Sequence, residues 1–276
     1  MWHSKTLVPV GFMLLVFSLL SASSLCAGEN ENIKQWIGQL SDRRERAAAK
    51  QNLIKARERA TPELLNVLND EYAKSSVRTD IVQIFEINKT NEAIPALKEA
   101  LKSPTARLRV ASIKALGTMA DEKLADTFKE AIKDPEPAVR ATAISALKKL
   151  KNRSAIPIFI ESLSDKNADV RLNALDALIV FNDISTIPPL IERLNDPAPS
   201  VILKAVEALS NYKDKQVVRA LVKRLKTGNR QVKIRVIEAF AKIKDKSVLP
   251  QLETLQNDEY IEVQRAAKKA IKTIEG

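Results

Sequence analysis

The sequence predicts an all-α chain of stacked helical hairpins, and three observations carry that prediction. Ala, Leu, Ile, Lys and Glu dominate its 276 residues, aromatics are only 4% and glycines number 6, a helix-forming composition short of the residues that build sheets and tight turns. A column of alanines recurs every 31 residues as Ala115, Ala146, Ala177, Ala208, Ala239 and Ala270. Beside it run Leu116, Leu147, Leu178, Leu209, Phe240 and Ile271, and three places further on Met119, Leu150, Phe181, Tyr212, Ile243 and Ile274. A period of this size, held in register without an insertion, marks a supersecondary unit that is copied and stacked. Weaker echoes at Ile84 and Phe85, then at Leu53 and Ile54, carry it toward the N-terminus.

The first element is not part of that pattern. Residues 1–6 carry one cation, Lys5, and Leu7–Leu20 is an apolar run followed by the small residues SASSLCA and the polar GENEN. This is the layout of a secretory signal peptide, with cleavage expected after Ala27. The run is shorter than the roughly 20 residues a spanning helix needs. Cys26 raises the alternative of a lipid anchor, although Leu25 stands where lipoprotein signals carry Gly, Ala or Ser; an uncleaved anchor is the third reading. The expectation is an exported chain, periplasmic or secreted. Loss of residues 1–27 would take with it the only histidine, His3, and the only cysteine, Cys26. The remainder, 28–276, reads as one solenoid: less regular repeats over 36–100, regular repeats over 101–258, and a capping helix over 259–275.

Each period holds two amphipathic helices. In SAIPIFIESLSD, Ile156, Phe159, Ile160 and Leu163 share one face, and in ADVRLNALDALIVF, Val170, Ala174, Ala177, Leu178 and Phe181 do the same. The alanines allow two helix backbones to approach closely while the larger side chains fill the layer between hairpins. Between helices lie KSPT, KDPEP, SDKNA and NDPAP, whose Asp, Asn and Pro end one helix and begin the next. Trp36 is expected to pack in the N-terminal cap. At the other end the column Ile113, Ile144, Leu175, Val206, Ile237 arrives at Lys268, and Val110, Ala141, Leu172, Leu203, Ile234 arrives at Arg265, the polar outer face of a terminal repeat.

Pro157, then Asp165, then Val170-Arg171 resembles the HEAT repeat, and the 31-residue length is similar to the HEAT-like repeats of phycobilisome lyases. Pro188, Asp196 and Val201 repeat the pattern with Ile202 in the Arg position; Pro250, Asp258 and Val263 repeat it with Gln264 there; Asp134 and Val139-Arg140 keep it with Asp126 in place of Pro. The resemblance covers about residues 36–274. It implies a right-handed α-α superhelix, an α-solenoid of about seven helix pairs, with the second helix of each pair lining the concave face. It also implies that Asp134, Arg140, Asp165 and Arg171 are structural, forming a ladder of hydrogen bonds between neighbouring turns.

If repeated residues are structural, function is to be sought where a column changes character. Residues 211–250 hold twelve Lys or Arg against three acids, a net +9 out of the +10 carried by residues 28–276. The acidic column Glu99, Glu130, Glu161, Glu192 is broken by Lys223, and Lys215, Arg219 and Lys223 follow at i, i+4, i+8. With Arg224 and Lys226 they form a candidate surface for an acidic partner. Arg235 and Lys242 flank Glu238 at spacings that allow local pairing. A second break is apolar: Ile179 and Val180 stand in columns otherwise held by Gly117, Lys148, Ser210 and Ala241, and by Thr118, Lys149, Asn211 and Lys242, a candidate docking patch.

No catalytic, metal-binding or cofactor-binding residue is identified, and no cofactor is expected. The chain after residue 27 lacks imidazole and thiol, and its glycines are scattered singly. Deoxyhypusine hydroxylases, which share the resemblance, carry repeated His-Glu pairs, and none is present. The expectation is a non-catalytic scaffold or adaptor whose partner is another protein, an acidic one, and not nucleic acid. The competing readings are an enzyme or enzyme subunit of the bilin-lyase-like or hydroxylase-like class, and attachment to an anionic glycan or membrane surface through 211–250.

Overall fold

The computed structural model describes residues 30–276; the segment 1–27, with Lys5, His3 and Cys26, lies outside them. The described residues form helices joined by turns and short 3-10 segments. They fall into two compact units that divide between Met119 and Ala120.

The first unit contains α1 (30–39), α2 (Arg46–Ala56), α3 (Thr61–Asn69), α4 (Ser75–Asn88), α5 (Ile94–Ala100) and α6 (Ala106–Met119). Within it α2 packs on α4, α4 on α6 and α3 on α5. Leu53, Ile84 and Phe85, the faint end of the sequence period, are all buried. Trp36 is half-buried and shares a small recess with Ala56 of α2.

The second unit contains five hairpins: α7 (Ala125–Ala131) with α8 (Pro137–Lys149), α9 (Ile156–Ser162) with α10 (Ala168–Phe181), α11 (Ile187–Glu192) with α12 (Pro199–Leu209), α13 (Lys215–Thr227) with α14 (Arg230–Ile243), and α15 (Leu249–Thr254) with α16 (Ile261–Glu275). Second helices stack in series, α8 on α10, α10 on α12, α12 on α14 and α14 on α16.

The local chemistry of each hairpin is repeated. Pro157, Pro188 and Pro250 sit in the first turns of α9, α11 and α15, where a missing N–H costs nothing. A 3-10 turn precedes each of these helices, and Asn152, Asp183 and Asp245 cap it by accepting the N–H two residues on. Three of these second helices, α8, α10 and α14, are followed by a non-glycine residue in the left-handed region, Lys151, Asn182 and Lys244, with φ of 52, 46 and 57°, whereas α12 ends on Ser210 in the right-handed region.

The alanine column is buried in each unit, and in the second it forms the inner seam. Ala115, Ala146, Ala177, Ala208, Ala239 and Ala270 are between 0 and 3% exposed, and the neighbouring Leu147, Leu178, Leu209 and Phe240 are fully buried. At the C-terminal end the seam closes as a polar face: Ile237 is buried, whereas Lys268 and Arg265 of α16 are exposed. Replacing Ala177 with Leu overpacks this seam and is expected to cost about 1–3 kcal/mol, read as a lower thermal midpoint. The same change at the exposed Ala138 should leave the midpoint unchanged.

Candidate interaction surface and the ion-pair ladder

The aspartate of each turn and the arginine of each second helix meet across successive hairpins, not within one. Arg140 donates Nε and Nη2 to the two carboxylate oxygens of Asp165, at 2.7 and 2.8 Å, and Nη1 to the carbonyls of Asp134 and Pro135, both at 2.9 Å. Arg171 repeats the fork on Asp196 at 2.8 and 2.6 Å and donates Nη1 to the Asp165 carbonyl at 2.8 Å. Each aspartate also organises its own turn: Asp134 accepts the Glu136 N–H at 2.9 Å and Asp165 the Asn167 N–H at 2.8 Å. Burial opposes the charge on Asp165, but the Arg140 guanidinium and the Asn167 N–H outweigh it and hold the carboxyl below its ordinary range. The side chains of Arg171 and Asp196 are 8 and 0% exposed, so this rung is a desolvated bidentate pair.

Departures from the pattern change the rung. Lys233 stands in the Arg position and reaches Asp258 with one bond of 2.7 Å. That hydrogen bond raises the Lys233 ammonium; Asp258 is lowered against its own desolvation by Lys233 and the Tyr260 N–H. Gln264 keeps only the bond to its own turn, Nε2 to the Asp258 carbonyl at 2.8 Å. Between the Arg171 and Lys233 rungs lies one with neither member: Ile202 replaces the cation, and Thr227 stands 25 residues on, where the acid belongs.

That missing rung borders the basic stretch, and the geometry sorts its cations. Those of α14 are engaged: Lys233 by Asp258, Arg230 by Glu262 at 3.3 Å, Arg235 by Glu238 at 3.2 Å, and Lys242 by the Asn211 side chain at 2.7 Å rather than by Glu238. Those of α13 are not. Lys215, Arg219, Lys223 and Lys226 are exposed, and none forms an ion pair with a described residue. Arg224 departs from the sequence expectation. Its side chain is turned inward, with Nε buried and unpartnered and Nη1 3.3 Å from the Thr227 hydroxyl, because its helical position faces the core side of α13 beside the buried Leu221 and Leu225. α13 is 13 residues long, against 7 for α9 and 6 for α11, so the stripe lies on continuous helix. In the acidic column that Lys223 interrupts, Glu99 and Glu130 are paired with Lys102 and Lys133 at 2.7 and 3.0 Å.

The apolar break also reaches the surface. Val180 is 50% exposed and Ile179 half-buried. The sequence reading missed Ile184, which is 78% exposed four residues further on. Its column reads Glu122, Arg153, Ile184, Lys215 and Lys246, so the same search for broken columns would have found it. It also occupies, one repeat earlier, the position of Lys215. Among the described residues no group of three or more His, Cys, Asp or Glu is placed to hold a metal ion, and no helix is long and apolar enough to cross a membrane.

Comparison with known proteins accords with this architecture. A family model for HEAT repeats matches residues 94–179 and 187–272. The chain belongs to the HEAT-repeat family. No curated protein matches it. Among solved structures it is similar to YibA of Escherichia coli, at 20% identity over 99% of both chains with a TM-score of 0.66. It is also similar to Kap95p in a structure with RanGDP, at 15% identity over 88% of this chain and 38% of that one, TM-score 0.69. An engineered protein aligns at 17% identity over 87% of this chain and 78% of its own, TM-score 0.54. At these identities the likeness is one of fold.

Replacing Arg171 with Ala removes the bidentate partner of the buried Asp196 and leaves it the longer ion pair to Arg193 Nη1, at 3.9 Å, and the Ala198 N–H; the expected loss is about 3 kcal/mol by denaturant unfolding. The depressed Asp165 and Asp258 carboxyls set a pH dependence of defined sign. Their contribution is present above the unfolded carboxyl value of about 3.9 and is lost as pH falls through the lower folded values. Arg140→Gln should flatten that acid limb in a pH series of unfolding midpoints.

Proposed function

We propose that the chain is a non-catalytic protein-interaction scaffold, acting outside the cytoplasm, that uses α13 to hold an acidic partner. The observation carrying this reading is the stripe of Lys215, Arg219, Lys223 and Lys226, exposed along one continuous helix with no ion pair to a described residue. Exposed cations spaced one helical turn apart attract an extended or helical segment bearing acids at matching intervals, accelerating encounter more than they add affinity. The neighbouring apolar residues Val180 and Ile184 would supply the desolvated contact that charge alone does not. Kap95p, seen with RanGDP, is a precedent for partner binding by a solenoid of this shape class. Location outside the cytoplasm rests on the leader-like layout of residues 1–27, and the non-catalytic reading on the absence of imidazole and thiol beyond them.

The test compares the parent chain with a Lys215→Gln, Arg219→Gln, Lys223→Gln variant on three matrices: polyglutamate, heparin and anionic vesicles. The triple change is expected to move elution from polyglutamate to markedly lower salt without altering the thermal midpoint, because no folded-state pair is broken. Exposed charges are screened beyond about 8 Å at physiological salt, so the comparison starts at low ionic strength. Unchanged elution from polyglutamate removes the proposal. A loss confined to heparin or vesicles transfers the stripe to a glycan or lipid surface.

A further inference from the structure

We infer that the first unit holds a binding site for an external carboxylate at Arg78, in the position where a complete rung of the ladder places an aspartate of the chain itself. Arg78 occupies the same helical position in α4 as Arg140 in α8 and Arg171 in α10. The acid that serves Arg140 lies 25 residues further on. Twenty-five residues after Arg78 stands Ser103. Ser103 keeps one half of the aspartate's work, since its Oγ accepts the Thr105 N–H at 3.2 Å. It has no negative charge to offer. Arg78 accordingly donates Nε to the Leu68 carbonyl at 2.9 Å, and no described carboxylate pairs with it.

The space beside the guanidinium is a cavity of about 540 Å³, lined by Arg78, Ser75, Ser103, Thr105 and Lys102. Ser75 Oγ is buried there without a hydrogen-bond partner. Lys74, the N-cap of α4, makes no side-chain cap, and its carbonyl accepts the Val77 and Arg78 N–H groups at 2.9 and 3.1 Å. Glu99 lines the same cavity but is taken by Lys102 at 2.7 Å, and Glu71 is exposed.

At the absent rung of the second unit both charges are gone together, as Ile202 and Thr227, which is the inexpensive way to delete a partly buried pair. At Arg78 only the acid is gone. A part-buried guanidinium without its acid and a partnerless hydroxyl line one cavity, and a planar two-oxygen anion answers both: with Nε held by the Leu68 carbonyl, the two Nη groups of Arg78 are left to take its oxygens, with Ser75 as a further donor. The carboxylate comes either from a small organic acid or from an acidic residue of a bound peptide.

Titration calorimetry on the full chain tests this, with succinate in one arm and tetraglutamate in the other, against sodium chloride at matched ionic strength. Both arms use the background with Lys215, Arg219, Lys223 and Lys226 changed to Gln, so that the α13 stripe does not contribute. Binding is expected in at least one arm and should fall more than tenfold in both Arg78→Gln and Ser103→Asp. The second variant is the sharper one, because it fills the site from inside and should raise the thermal midpoint while abolishing binding. Succinate binding identifies a small acid as the ligand, and binding of tetraglutamate alone identifies a peptide. No binding in either arm, or binding that survives either substitution, overturns the proposal.

Discussion

A two-helix hairpin has two apolar faces and can cover only one of them, and this constraint governs the whole chain. The answer is a seam of alanines. A methyl group at Ala146, Ala177, Ala208 and Ala239 lets successive second helices pack at close range, and the leucine or phenylalanine beside each fills the wedge that remains. Every other feature of the repeat serves the register of that seam. The prolines start the first helices at fixed positions, and the capped 3-10 turns return the chain at a constant height.

Packing of apolar surfaces tolerates sliding, and the ladder opposes it. A bidentate guanidinium–carboxylate pair has directional geometry that alanine and leucine lack, so the forks from Arg140 to Asp165 and from Arg171 to Asp196 hold one hairpin to the next at a set offset. Buried pairs of this kind contribute registry more dependably than net stability. Where the rung disappears, at Ile202 and Thr227, the hairpin is also differently built. With Thr227 in the place of the turn aspartate, α13 runs unbroken to Gly228, which packs so tightly that a Cβ there would lie 2.8 Å from Val232 Cγ1. Loss of a structural ion pair and gain of a long cationic helix thus occur in one repeat, as expected if that turn is released from holding register and carries a surface instead.

Much of this was readable in the sequence because repetition turns one dimension into two. Residues 31 apart fall on equivalent positions, so a column that stays apolar marks the seam and one that changes marks a departure from it; the exposure of Lys268, Lys215, Arg219 and Lys223 followed from that alone. Partnership across repeats was harder. Helical spacing pointed Lys242 at Glu238, yet it reaches Asn211 one repeat back, since a neighbouring hairpin competes with the helix's own turn. Arg224 looked like part of the stripe because composition does not report rotation about the helix axis, which places its Nε inside. The vacancy at Arg78 lay in the less regular repeats, where the columns are faint and Ser103 does not announce itself as a missing acid.

Charge in a repeat protein is best judged by whether its partner is copied along with it. The arginines at 140 and 171 recur with the aspartates 25 residues later, so each of these hairpins is neutral at that edge. A cation whose partner fails to recur has lost its internal reason to stay. Ile202 shows the position without a cation, whereas Arg78 keeps the cation without the acid. Arg78 and the α13 stripe meet that criterion in opposite settings, one part-buried beside a cavity and the other fully solvated. The first favours a small, shape-matched anion and the second a long, weakly held one, because desolvation sharpens an ion pair and exposure broadens it.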